Sequence, residues 1–345
     1  MDLVPSDEQS EMVDSVEQFL SKELSIPQLR ERLDAATGAP ASAWAKAGAI
    51  GVFSLGVPEE DGGAGLPFVE ECLVFRPMGR HLAPVGFIAS AVAAHLAQLG
   101  GRSDVRDAVM AGEAGVAIGV ARGGAVVGSR ISGRFDVLDL PAAEYAVLVS
   151  AETGALAMLP ADRLSGGTAG SCLDASTHLT TAALDATEAD VSVEEGPSHS
   201  VYLLGCLLAT AMSVGIAEAA RDMGVAYAKE RVQFGRPIGT NQAIKHACAD
   251  MAVRAEAARS LLLFAALAVR DGRTDAPFQV ASAKRVATQA AIENSRANVQ
   301  IHGGMGFTWE CDAHLYLSRA HLLDELFGDV RVQQRAILAT APAVP

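Results

Sequence analysis

The feature that most limits the fold is a double change of hydrophobic period along the 345 residues. In residues 6–36, Met12, Val16, Phe19, Leu20, Leu24 and Leu29 follow helical spacing. Ser6 and Gln9, three residues apart, have the form of a capping box. Further helices are expected over 40–50 around Trp44, over 67–80 and over 84–100, with a Gly/Pro-rich loop starting at Gly51. After Gly112 the period shortens. Val116, Ile118 and Val120 alternate, and short apolar runs at Val126–Val127, Ala146–Val149, Ala157–Leu159 and Thr180–Leu184 sit between turns. From residue 199 the helical period returns, with runs over 200–230, 241–271, 276–302 and 311–338. The order predicts a mainly α protein with three parts: a helical domain over 1–112, a small β domain over 113–196 and an antiparallel four-helix bundle over 197–345.

Charge and cysteine usage narrow the function classes. A formal charge of −14 argues against nonspecific nucleic-acid binding. Five cysteines, at 72, 172, 206, 248 and 311, form no CxxC pair, which suits reduced thiols in a cytoplasmic protein. The polar, acidic start lacks the basic and apolar regions of a secretory signal, and no stretch is expected to span a membrane. Glu310 and His314 share a helix face but lack a second Glu/His pair, so no metal site is expected.

Two segments carry the chemistry. Residues 231–242 combine Arg231, Phe234 and a Gly-Arg-Pro turn; residues 300–306 read Gln-Ile-His-Gly-Gly-Met-Gly. Arginine is a permanent, forked cation that suits a pyrophosphate. Adjacent glycines let backbone N–H groups approach a phosphate or a flat ring without a Cβ in the way. Together they suggest a large anionic, partly aromatic cofactor.

These motifs, in this domain order, resemble the acyl-CoA dehydrogenase flavoprotein family over nearly the whole chain. The loop Leu55-Gly-Val-Pro-Glu-Glu-Asp-Gly-Gly-Ala-Gly is similar to the family's N-terminal signature. Arg231-x-x-Phe234-Gly235, Gln242 and Gln300-x-x-Gly303-Gly304-x-Gly306 match its C-terminal pattern. The resemblance implies an acyl-CoA dehydrogenase-like fold whose middle domain is a barrel or sandwich. It also implies FAD as cofactor, with the C-terminal pieces reaching the FAD of a neighbouring subunit. Arg231 would meet the pyrophosphate and Phe234 the adenosine side. Gln233, Gln242 and Gln300 would add amide contacts, and Gly303 and Gly304 backbone N–H groups.

The chain departs from the family where the family does its own chemistry. Counting to the usual position of the catalytic Glu reaches Phe327 or Gly328, and counting to the alternative position reaches Gly205. None of these takes a proton. Asp329 and Glu325 lie close by; they read as solvated charges at a helix end, and as bases only if the loop shifts. Val120-Ala-Arg-Gly-Gly-Ala-Val-Val-Gly stands where the family holds its flavin ring. The half serving a neighbour is kept and the half serving the chain itself is lost.

That asymmetry resembles the degenerate subunit of actinobacterial α2β2 steroid-type acyl-CoA dehydrogenases. The implied function is α,β-desaturation of an acyl-CoA thioester, with a partner subunit supplying the base and electron-transfer flavoprotein or another acceptor taking the electrons. Two alternatives stay open: a self-sufficient dehydrogenase or nitroalkane-oxidase-like enzyme using Asp329 or Glu325, and a non-catalytic scaffold.

Overall fold

The computed structural model describes residues 4–35, 39–194, 196 and 199–341. Six helices open the chain: α1 (Asp7–Glu23), α2 (Ile26–Asp34), α3 (Ala41–Ala49), α4 (Phe68–Arg80), α5 (Gly86–Leu99) and α6 (Ser103–Met110). The capping box forms: the Gln9 amide donates to Ser6 Oγ at 3.2 Å, and the Ser6 amide to Gln9 Oε1 at 3.0 Å. The single run over 6–36 divides in two. Ser25 is extended, its amide donates to Gln28 Oε1 at 2.9 Å, and Pro27 sits in the first turn of α2, where its missing N–H costs no hydrogen bond.

The middle domain contains β1 (Val116–Ala121), β2 (Ala125–Val127), β3 (Arg130–Leu138), β4 (Tyr145–Ser150), β5 (Ala155–Pro160), β6 (Thr168–Gly170), β7 (Leu179–Glu188) and β8 (Val191–Val193). It is one mixed sheet rather than two stacked ones. The order is β6-β7-β3-β1-β4-β5-β8 with β2 paired to β3, and β1 runs parallel to β4. The central strands are buried on both faces. Ala117, Phe135, Val137, Ala146, Leu148 and Ala157 belong to a core of the domain's own. The alternating residues Ile118, Val147, Val149, Leu156 and Met158 join the helical core. Period-two alternation thus sends one row of side chains inward and the other against helices.

The bundle comprises α7 (Ser200–Glu230), α8 (Gln242–Arg270), α9 (Ala276–His302), α10 (Ala313–Glu325) and α11 (Val330–Thr340). The expected fourth helix over 311–338 is two, broken at Leu326–Asp329. α7 is long and apolar enough to cross a membrane, yet 94% of its most apolar window is buried inside the protein. It packs against α4, α8 and α9. The α4–α7 crossing is close: a Cβ on Gly79 would lie 1.9 Å from the Met212 carbonyl oxygen, and one on Gly215 2.0 Å from that of Arg76. Arg76 Nη1 meets Glu218 Oε1 at 3.0 Å across the same crossing.

One side chain ties all three parts together. Arg319 on α10 is 2% exposed. Its guanidinium donates to Asp174 and Ser176 of the β domain and to the Ala83 carbonyl between α4 and α5.

Candidate functional site

The α10–α11 loop brings the two counted base positions to one place. Phe327 is fully buried with φ of 55°, followed by Gly328 at 97°. Its ring lies on α7 against Gly205, where an added Cβ would come within 2.1 Å of the ring. The ring also meets Tyr202 edge-on at 6.0 Å. A non-glycine residue in the left-handed region costs roughly 1–2 kcal/mol, and donors to its carbonyl hold it there. Tyr202 Oη and Gln333 Nε2 each donate to the Phe327 oxygen at 2.9 Å, and Cys206 Sγ stands 3.8 Å away. Burial pushes the Cys206 thiol up to about 12 and the Tyr202 hydroxyl well above its ordinary value, so neither is an anion near neutrality. Lys284, fully buried, donates to the Leu323 and Asp324 carbonyls at 3.3 Å and closes the end of α10. A phenyl ring and a glycine therefore stand at the two counted positions, and neither takes a proton.

The nearby carboxylates have structural partners. Asp329 caps α11, accepting from the amides of Arg331 at 2.9 Å and Val332 at 3.0 Å. Glu325 pairs with Arg122 at 2.7 Å, and Arg122 also reaches Asp136 on β3 at 3.1 Å. This pairing spans a cleft of about 430 Å³ between the sheet and α10, whose walls include Val120, Leu138, His321 and Asp324. Burial raises the Asp324 carboxyl, and the neighbouring Glu325 adds to that while Lys284 opposes it. The Arg122 charge is matched by carboxylates of this chain.

The other end of the bundle presents the opposite picture. α7 stops at Glu230, and β9 (Val232–Gln233) and β10 (Arg236–Pro237) form a hairpin closed by Phe234 and Gly235, with φ of 52° and 78°. Positive φ at both turn residues marks the tight turn that suits a two-residue hairpin. Phe234 is 99% exposed. Arg231 is exposed, and among the described residues its guanidinium has no hydrogen-bond or ion-pair partner. Gln233, Gln242 at the start of α8 and Gln300 in the last turn of α9 are also exposed.

After α9 a one-turn helix covers Gly303–Phe307. Its glycines differ. Gly306 is packed so tightly that a Cβ would lie 2.4 Å from the Val299 oxygen. Around Gly303 and Gly304 there is nothing within 4 Å of an added Cβ. Gly306 is explained by packing and Gly303 by its φ of 62°, a conformation that favours glycine, while beside Gly303 and Gly304 the backbone is open among the described residues. Trp309, just beyond, is anchored to α2: Nε1 donates to Asp34 at 3.1 Å, and the Arg30 guanidinium lies 5.3 Å from its ring. Trp309, Arg30, Asp34 and Arg122 carried no sequence signal, because their partners lie far away along the chain.

FadE34 of Mycobacterium tuberculosis, an acyl-CoA dehydrogenase, is 35% identical over 81% of this chain; the chain spans 39% of that protein's length. The acyl-CoA dehydrogenase IpdE2 of the same organism is 29% identical over 92% of both chains. In fold the chain is similar to the ChsE4–ChsE5 complex of M. tuberculosis, with a TM-score of 0.82, 23% identity and coverage of 99% of this chain and 100% of that one. Two family models, acyl-CoA dehydrogenase N-terminal domain over residues 6–112 and C-terminal domain over 205–341, match on either side of the β domain, and the chain therefore belongs to the acyl-CoA dehydrogenase family of FAD-dependent oxidoreductases.

Proposed function

We propose that this chain is the base-lacking subunit of a heteromeric acyl-CoA dehydrogenase that desaturates an acyl-CoA thioester between Cα and Cβ. The observation that carries this reading is the contrast between its two ends. The counted base position holds Phe327 against Gly205, whereas Arg231, Phe234, Gly303 and Gly304 are exposed, and among the described residues the Arg231 guanidinium has no partner. FAD bound there would supply the hydride acceptor. Arg231 would hold its pyrophosphate through a forked, charge-assisted contact. Phe234 would offer an apolar face to the adenosine, Gln233, Gln242 and Gln300 would donate amide contacts, and the Gly303–Gly304 backbone would admit the phosphates.

The partner subunit supplies the carboxylate that takes the α-proton. A two-fold arrangement of such pairs makes an α2β2 assembly, and a similarly folded chain occurring in the ChsE4–ChsE5 complex supports that choice. The substrate class we favour is a steroid side-chain CoA thioester, since a half-site without its own flavin leaves room for a bulky acyl group. Five free cysteines suit a cytoplasmic setting, and an electron-transfer flavoprotein or a similar acceptor would reoxidise the flavin.

The reading is tested through Glu325 and Asp329. Glu325→Gln and Asp329→Asn, introduced into the complex isolated through a tag on this chain, are expected to leave acyl-CoA-dependent dye reduction within about twofold of wild type, since Asn still caps a helix. A fall of a hundredfold or more in a variant that still assembles and holds FAD would make this chain the source of the base.

A further inference from the structure

The reading above places the two FAD-facing segments at the ends of different helices, 72 residues apart between Arg231 and Gly303, and one side-chain contact joins those ends. Tyr227 lies in the last turn of α7, and its carbonyl accepts the Arg231 amide at 2.9 Å. His302 is the last residue of α9, immediately before Gly303. The two rings stack face to face, 4.0 Å between centroids and 22° between planes. The His302 ring is fixed at one edge as well, because Nδ1 lies 2.9 Å from the Asn298 carbonyl, to which it donates. Beneath the stack, Ala228, Met251 and Ile301 form a small core separate from the main one. Residues 232–236 of the hairpin and Gly303, Gly304 and Met305 after His302 are exposed.

We propose that Tyr227 and His302 form one positioning element that sets Arg231 and its hairpin in register with the Gly303–Gly304 cradle. This rests on the reading that both segments serve one FAD. It gives His302 a positioning role through its ring face and leaves it no part in proton transfer. The ring faces carry the register; the phenol hydroxyl is dispensable, and the His302 Nδ1 hydrogen bond to Asn298 contributes less than the stack.

The test measures the FAD dissociation constant, beside the thermal midpoint, on the complex isolated through a tag on this chain. Tyr227→Leu and His302→Ala are each expected to weaken FAD by about three- to tenfold, the worth of one aromatic stack. The double variant should be no weaker than the weaker single, because the two rings act as a unit. Tyr227→Phe and His302→Phe should stay within about twofold of wild type, since each keeps a ring face. A purely structural stack would lower the thermal midpoint and leave FAD affinity unchanged. The proposal is overturned if Tyr227→Leu holds FAD normally while Arg231→Ala releases it, or if His302→Phe weakens FAD as much as His302→Ala. If Arg231→Ala also holds FAD normally, the reading of the clamp itself falls.

Discussion

Arg231→Ala is expected to weaken FAD binding by the complex about 10- to 150-fold, the equivalent of losing a charge-assisted hydrogen-bonded contact of roughly 1.5–3 kcal/mol. The same change should leave the unfolding midpoint of the isolated chain unaltered. Arg231 is exposed and, among the described residues, its side chain has no partner in this chain, so no intrachain contact is lost. Arg231→Lys should fall between the two, because it keeps the charge and loses the planar fork. Equilibrium dialysis of FAD against the complex, beside thermal unfolding of the chain alone, separates the two effects. Unchanged FAD affinity in Arg231→Ala would mean that the exposed cation serves some other purpose, and the scaffold reading would gain.

Arg319→Met should destabilise the chain by about 3–5 kcal/mol at neutral pH, the usual cost of removing one member of a buried ion pair. The side chain is buried to 2% exposure and its partner Asp174 to 4%, and the change strands Asp174, Ser176 and the Ala83 carbonyl at the junction of all three parts. The pH dependence carries a sign. Burial alone would raise the Asp174 carboxyl, but the Arg319 charge and the hydrogen bonds from Ser176 and Arg319 outweigh it and hold the carboxyl below its ordinary value. In the wild type this group therefore adds stability above the unfolded value of about 3.9, and that stability is lost as pH falls through the lower folded value. In Arg319→Met the carboxylate stays buried without its cation, so its folded value rises above the unfolded one. The penalty is then largest at neutral pH and shrinks on acidification. Urea unfolding of both proteins at pH 7 and pH 5 should show the gap narrowing at the lower pH, and Asp174→Asn in the Arg319→Met background should recover part of the loss.

The helical and strand periods made much of the architecture legible, because hydrophobic repeat follows directly from which face is buried. The capping box at Ser6 and Gln9 is local chemistry and was readable as such. What escaped the sequence depended on distant partners. The break between α10 and α11 rests on Phe327 in a left-handed conformation, held by Tyr202 from α7 and Gln333 from α11. Nothing in the local sequence requires that, since Phe is a poor choice for positive φ. The three-residue strands β6 and β8 are too short to show a period. α7 carries an apolar run of membrane-helix length, and 94% of its most apolar window is buried as core. At the site, counting residues to the expected base position reaches Phe327, Gly328 and Gly205, none of them a carboxylate, and that much is visible in sequence. That Phe327 and Gly205 pack against each other is a tertiary fact. So is the stacking of Tyr227 on His302, across 75 residues of chain.

The most direct test of the central claim is the amount of FAD per chain, measured by flavin absorbance on the isolated chain and on the complex drawn out with its partner. An intact clamp with a lost flavin and base site predicts no FAD on the chain alone and roughly one FAD for every two chains in the complex. One FAD on each isolated chain would contradict that prediction: the cleft beside Arg122 and Glu325 would then hold a flavin of its own, and the chain would be a self-sufficient enzyme.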